Sequence, residues 1–210
     1  FNLFFIISMA LFGTLSGFNI APTIARSTST ALGPLCDIGL NLCDEMFQGI
    51  YNDKQKHADD TEMVLERAKS MNVLKMVITS GNVDQSRQSL AMVDRYGKEY
   101  GLHATVGVHP TRCGEFLGKE EEVVASLEAL IVEGLEKNTC VAIGEAGLDY
   151  DRLHFCGKEQ QMDGFLRQIG LAEKFDLPLF LHNRNTDGDF LRVMQENKER
   201  IPRGGVVHSF

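Results

Sequence analysis

From Leu35 onward the chain alternates short apolar runs with longer amphipathic stretches. The apolar runs are CDIGL (36–40), KMVITSG (75–81), HATVGV (103–108), CVAIGE (140–145), PLFLH (178–182) and GVVH (205–208), and they predict six strands. They lack the in–out alternation of a strand with one wet face, so both faces of each are expected to be buried, as in a parallel sheet. Helical patterns lie between them. Asp60 suits the N-cap of a helix with Val64, Ala68 and Met71 on one face, and Asp84 the cap of a helix that turns Leu90 and Val93 inward. Residues 120–136 set Val123, Val124, Leu127, Leu130, Ile131 and Leu135 on one stripe, and residues 158–175 do the same with Met162, Phe165, Ile169 and Ala172. A last helix runs through Phe190, Leu191 and Met194. The runs are spaced as βα units require.

How these runs end narrows the architecture. Glu145, His182 and His208 each sit at the end of an apolar run, and LHATVGVHP (102–110) delivers His109 in the same way. One carboxylate and three imidazoles at the exits of four strands converge only if the strands are parallel and ringed, as on the C-terminal face of a (β/α) barrel. The rival is a doubly wound open sheet. No G-x-G-x-x-G follows the first run, and the polar strand ends are spread over the sheet instead of gathered at one switch point. The expected fold class is therefore α/β, a (β/α)8 TIM barrel of which residues 35–210 supply about six βα units.

Imidazole plus carboxylate is a ligand set for a catalytic divalent cation. Glu145 lies in AIGEAGLDY, where a carboxylate ending a buried strand is costly unless it is paired or metal-bound. Asp149 in the same stretch reads as a support for the ligands or as a cap for the next loop. Arg184, two residues after His182, is placed to clamp a phosphate, although arginine also makes ordinary surface pairs. His109 is either a loop histidine or a ligand or phosphate-binding group.

Composition changes this picture little. With 210 residues, 43% hydrophobic and 24% charged, the chain has the make-up of one ordinary globular domain. A formal net charge of −8 argues against a broad basic face for nucleic acid. It leaves a nuclease open, because bound cations supply positive charge where phosphate must sit. The five cysteines (Cys36, Cys43, Cys113, Cys140, Cys156) form no C-x-x-C and read as isolated thiols in a reducing compartment.

Residues 1–34 are a different kind of sequence, apolar at first and without a charge before Arg26, and are expected to lie outside the domain. The apolar stretch leaves a signal peptide or anchor open. Asn2, Gly13, Ser16 and Gly17 interrupt it short of a clean membrane span, so an intracellular protein of cytoplasm or nucleus, without a membrane, is expected.

The stretches DIGLNL (37–42), FQGIY (47–51), VGVHPTRCGEF (106–116), AIGEAGLDYDRL (142–153), FLHNRN (180–185) and GGVVHSF (204–210) carry a resemblance. Over residues 36–210 the chain resembles the TatD-like metal-dependent deoxyribonucleases, and among them the eukaryotic TatD DNase domain-containing proteins. The resemblance implies a barrel of the metal-dependent hydrolase type and a phosphodiesterase using two divalent metal ions, Mg or alternatively Zn or Mn. Glu145, His182 and His208 would be metal ligands, with His109 lining the phosphate site and Arg184 countering charge in catalysis. The implied substrate is DNA, attacked as an exonuclease at single-stranded ends, with no stable protein partner. Where many bacterial relatives have H-x-H on the first strand this chain has Asp37 and Asn41, so these two and Asp149 are expected to support the ligands from behind. Ala146 and Asn183 stand where the family has cysteine. The family's E-T-D-A-P segment, with its metal-binding and proton-accepting Asp, lies beyond Phe210. The expectation is a six-stranded sheet with open edges along CDIGL and GGVVH, an incomplete metal shell and a chain that aggregates or is inactive. The alternatives are an amidohydrolase-type enzyme acting on another ester or amide, and an inactive truncated fragment.

Overall fold

The structure is a computed structural model and describes residues 33–208. The expectation that residues 1–34 form a separate apolar segment falls almost wholly outside the described residues. The described chain runs β1 (Leu35–Leu40), β2 (Ile50–Tyr51), β3 (Lys54–Gln55), α1 (Thr61–Ser70), β4 (Val73–Ile78), α2 (Val83–Tyr100) and β5 (Leu102–Val106). It continues with α3 (Glu120–Glu136), β6 (Cys140–Asp149), α4 (Lys158–Phe175), β7 (Leu179–Arg184), α5 (Asp189–Glu196) and β8 (Gly205–Val207), with single 3₁₀ turns between several of these. Strands β1, β4, β5, β6, β7 and β8 pair in that order, every neighbour parallel, while β2 and β3 form a separate antiparallel hairpin. The six expected strands are present as βα units, and the fold class is α/β as read from the sequence.

Unbroken apolar runs become strands buried on both faces. Ala104, Val106 and Ile143 are fully buried, and Leu179 and Leu181 almost so. The helices supply the outer layer through their apolar stripes: Leu90 and Val93 from α2, Leu127 and Ile131 from α3, Phe165 and Ile169 from α4. Phe165 stacks on Phe190 of α5 with ring centroids 5.6 Å apart, joining two neighbouring helices.

The sheet curls. Strands two places apart in a flat sheet lie about 9.5 Å from each other, twice the spacing of hydrogen-bonded neighbours. Here the Glu145 amide of β6 donates to the carbonyl of Ser80, just past β4, at 2.9 Å, although β5 lies between them. His208, just past β8, reaches Glu145 across β7 at 2.7 Å. Only a sheet rolled as part of a barrel draws those strand ends together.

Several local expectations are corrected. Helix α1 buries Leu65 and Thr61, while Met71 is 69% exposed because it sits after the last helical turn, out of register with the stripe. Its first turn is held by Asp59, whose side chain accepts from the Thr61 amide; Asp60 makes no side-chain cap. Asn82, not Asp84, caps α2 by accepting from the Gln85 amide at 2.7 Å. In α5 the inward residues are Phe190 and Val193, and Leu191 is exposed. Strand β6 runs four residues past Glu145, to Asp149.

Candidate metal centre

The site is built from strand β6 outward. Between Ile143 and Ala146 the pairing of β6 with β7 slips, and the glycines within and just after the slip have φ of +142° (Gly144) and +137° (Gly147). A Cβ at Gly144 would run into the Phe180 carbonyl, and one at Gly147 into the His182 carbonyl. A bulge of this kind re-aims a side chain. It turns Glu145 toward the ends of the neighbouring strands while Ala146 and Leu148 stay buried in the core.

Three strand ends then meet that carboxylate. His182, the fourth residue of β7, is 3% exposed and sets Nδ1 2.8 Å from Glu145 Oε1. His208 continues the β8 ladder, its amide donating to Leu181 O at 2.9 Å and its ring stacked on Phe180 at 4.8 Å. Its Nε2 lies 2.7 Å from the same Glu145 oxygen. His109 is fixed by its amide, which donates to Gly81 O, and by Nδ1, which accepts from the Thr111 amide at 3.2 Å. With Nδ1 an acceptor, the neutral ring carries its proton on Nε2, which faces Glu145 Oε1 at 3.5 Å. The expected cluster of Glu145, His182 and His208 is therefore formed, with His109 at its edge.

Asp149, at the end of β6, closes the far side. Its Oδ2 is 3.2 Å from His182 Nε2, so the two nitrogens of that ring face two different carboxylates. Arg184 Nη1 lies 3.6 Å and Arg152 Nε 3.9 Å from Asp149 Oδ2. The Asp149 side chain is fully buried, and among the described residues its Oδ1 has no hydrogen-bond partner. A buried carboxylate oxygen without a protein partner is rare, and it is a donor fit for an ion or water.

Two overlapping groups can hold a cation: Glu145, His182 and His208, and His109, Asp149 and His182, with the ligand atoms of each group within 4.8 Å of one another. Nitrogen and carboxylate donors at these distances, next to an orphaned buried oxygen, fit a divalent metal. Burial pushes the His109 imidazole down to about 4, only partly opposed by the Glu145 charge, and so keeps it neutral. Burial pushes Glu145 upward, but the hydrogen bonds from His182 and His208 outweigh it and hold the carboxyl well below its usual range.

Asp37 and Asn41 are placed differently from expectation. Asp37 accepts from the Gly39 amide at 3.0 Å and its pKa is raised by burial, while Asn41 accepts from the Thr79 hydroxyl at 2.9 Å. Among the described residues neither bonds to the Glu145 cluster, so both serve the β1–β4 edge of the site. A cleft of about 610 Å³, lined by Tyr51, Asn82, Gln85 and Arg112 among others, opens nearby. Gly81 joins the two: a Cβ there would lie 3.5 Å from His109 Cβ and 3.9 Å from Arg112 Cδ.

Sequence reasoning missed Gln161 and Gln168 of α4. Both are fully buried, and their amides bond to the backbone of Asp149 and of Val108, next to His109. The sequence shows only that they lie one heptad apart on the stripe of Phe165, Ile169 and Ala172, and not what they bond to. Among the described residues no helix is long and apolar enough to cross a membrane.

Comparison with known proteins fits this arrangement. The family described as "TatD related DNase" matches residues 37–210. Deoxyribonuclease Tat-D of Schizosaccharomyces pombe is 42% identical over 177 residues, covering 83% of this chain and 56% of that protein. The 3'-5' ssDNA/RNA exonuclease TatD of Erwinia tasmaniensis is 34% identical over 174 residues, covering 83% and 59%. The chain thus spans little more than half the length of the curated relatives it matches. Among solved structures, a hydrolase TatD family protein from Entamoeba histolytica superposes with a TM-score of 0.73 at 34% identity, covering 80% of this chain and 55% of that one. With curled sheet, strand-end cluster and sequence all in agreement, the chain belongs to the TatD related DNase family.

Proposed function

We propose that the protein is a divalent-metal-dependent nuclease that hydrolyses DNA phosphodiester bonds, working as an exonuclease on single-stranded ends. The observation that carries this reading is Glu145 Oε1 lying 2.8 Å from His182 and 2.7 Å from His208, beside an Asp149 oxygen with no hydrogen-bond partner among the described residues. The names of the relatives, deoxyribonuclease and ssDNA/RNA exonuclease, support the substrate class.

Two divalent ions, Mg in the first instance and Zn or Mn as alternatives, would be held by Glu145, His182 and His208, with His109 lining the phosphate side and Asp149 supporting His182. When bound, such ions polarise a phosphoryl oxygen and acidify water. The chain's own residues do the rest. His182 would ligate through Nδ1, with Nε2 turned to Asp149 Oδ2 at 3.2 Å, a contact that would fix the ring and raise its basicity as a ligand. His109, neutral near pH 7, presents Nε2 to Glu145 at the edge of the cluster. Arg184 is anchored near Asp149 and offsets the negative charge that develops on the phosphoryl group.

The reading takes residues 35–210 as the barrel portion and leaves 1–34 outside it. It places the protein inside the cell, in cytoplasm or nucleus, supported by five cysteines that are all free. An amidohydrolase using a carbamylated lysine would want that lysine where this chain has Glu145. The test is hydrolysis of an end-labelled single-stranded oligonucleotide by metal-stripped protein, with Mg, Mn or Zn restored one at a time. Shortening that appears only with metal supports the proposal. Equal shortening in EDTA, or none under any metal, would reject it.

A further inference from the structure

Helix α4 contributes no metal ligand, yet it touches both outer segments of the site in the same way. The Gln168 side chain accepts from the Val108 amide through Oε1 at 2.8 Å and donates Nε2 to the Val108 carbonyl at 2.9 Å. Seven residues earlier, Gln161 accepts from the Asp149 amide at 2.7 Å and donates to the Asp149 carbonyl at 2.9 Å. Each side-chain amide thus pairs with both polar groups of one peptide residue, as a neighbouring strand would. One residue so held is Asp149 itself, and the other immediately precedes His109.

Position in the sheet explains the need. Strand β5 ends at Val106, so Val108 lies beyond the ladder, and Asp149 is the last residue of β6. Backbone polar groups buried at such points must find partners elsewhere. Both glutamines are fully buried, and each spends a further Nε2 bond on a local carbonyl, Cys156 for Gln161 and Gly164 for Gln168. A residue seven places along a helix returns to the same face two turns on. The two clamps therefore share one rigid edge, and that edge sets the spacing between the arm carrying His109 and the arm carrying Asp149. These arms converge on His182, 4.7 Å from His109 between ring centroids and 3.2 Å from Asp149 Oδ2.

We infer that Gln161 and Gln168 are positioning residues that fix the His109–His182–Asp149 group by gripping the backbone of its two outer arms from α4. The inference rests on the metal-site reading proposed above and adds to it a helix whose only role there is alignment. Neither glutamine touches substrate or metal. Their removal should loosen the cation site more than the fold, because the strands themselves stay paired through β6 and β7.

The experiment compares the full chain with Gln161→Met and Gln168→Met, using Co²⁺ as the probe. Metal affinity is read by titration, coordination by the visible Co²⁺ bands, and stability by thermal melting without metal. Loss of a group that orients a metal ligand lowers affinity by about 10- to 100-fold. The expected result is at least a ~10-fold weaker Co²⁺ affinity with shifted bands in each variant. A packing control, Ile169→Val on the same helix, should lower the melting temperature and leave affinity and bands unchanged. Variants that melt lower but bind Co²⁺ as wild type does would overturn the inference and leave the metal reading standing. If wild type itself binds no Co²⁺, the metal reading fails, and the imidazole ¹⁵N shifts of His182 and His109 in metal-free protein decide the clamp instead. Shifts that move in the variants and not in Ile169→Val support it; shifts that stay in place overturn it. Should a methionine variant lack a cooperative melt, Gln168→Glu, which keeps the acceptor for the Val108 amide, takes its place under the same criteria.

Discussion

Replacing Asp149 with asparagine tests the electrostatics of the site with almost no change of shape. The backbone of Asp149 stays paired with Gln161 in the variant, so only the side-chain charge is altered. In the native chain that charge receives His182 Nε2 at 3.2 Å in a fully buried setting. A hydrogen bond to an ionised partner contributes about 1.5–3 kcal/mol, against about half that for a neutral one. Asparagine also offers an N–H to His182 Nε2, which favours the tautomer with the proton on Nδ1, the nitrogen facing Glu145 and required for ligation. Both effects act on the metal-bound state. At 1.4 kcal/mol per factor of ten, divalent-metal affinity should fall roughly 10- to 100-fold. Calorimetric titration of EDTA-stripped protein with Mn²⁺ or Zn²⁺ measures this, with a metal-free thermal melt run alongside to separate affinity from folding. An affinity within twofold of wild type, with the melt unchanged, would refute the claim that Asp149 orients His182 as a ligand.

Two further outcomes follow from the same geometry. The folded His109 has a pKa lowered to about 4, so as pH falls the unfolded chain takes up the proton first. Stability of the metal-free protein should decline from about pH 6.5 and lose up to about 3 kcal/mol by pH 4, with Glu145, held below its usual range, adding further loss under pH 4.5. Urea melts across that range should show the slope, His109→Gln should flatten its upper part, and a flat wild-type profile would contradict the assignment. Gly147→Ala would force a side chain into a φ of +137° and against the His182 carbonyl. It should destabilise the chain by about 2 kcal/mol or more, and a melting temperature equal to wild type would show that the β6 bulge does not constrain the site.

Most of the frame was legible because it rests on burial. Runs such as CVAIGE and PLFLH can be stable only inside a two-layer α/β structure, and α3 and α4 begin and end where their stripes do. The convergence of Glu145, His182 and His208 followed from strand ends alone. What escaped was local or hidden by residue type. The phase of α1 turned on whether Met71 still belonged to the helix, and the caps of α1 and α2 on which of several neighbouring Asx side chains met an amide. Hairpin β2–β3 is two residues per strand, too short for any periodicity. Gln161 and Gln168 read as polar helix positions because nothing in the pattern shows the backbone of Val108 and Asp149 waiting for them. Asp37 and Asn41 were assigned by analogy with the histidines they replace, and an acceptor bonded to its own strand or to Thr79 leaves no mark in sequence.

The central claim is that Glu145, His182 and His208 hold catalytic metal. Crystals grown from metal-stripped protein and soaked in Zn²⁺, measured at wavelengths either side of the zinc absorption edge, test it most directly. The account predicts anomalous density bonded to Glu145, His182 and His208 at about 2.1 Å, and its loss in Glu145→Ala crystals. Anomalous density that avoids this cluster, or that stays in place without the Glu145 carboxylate, would contradict it.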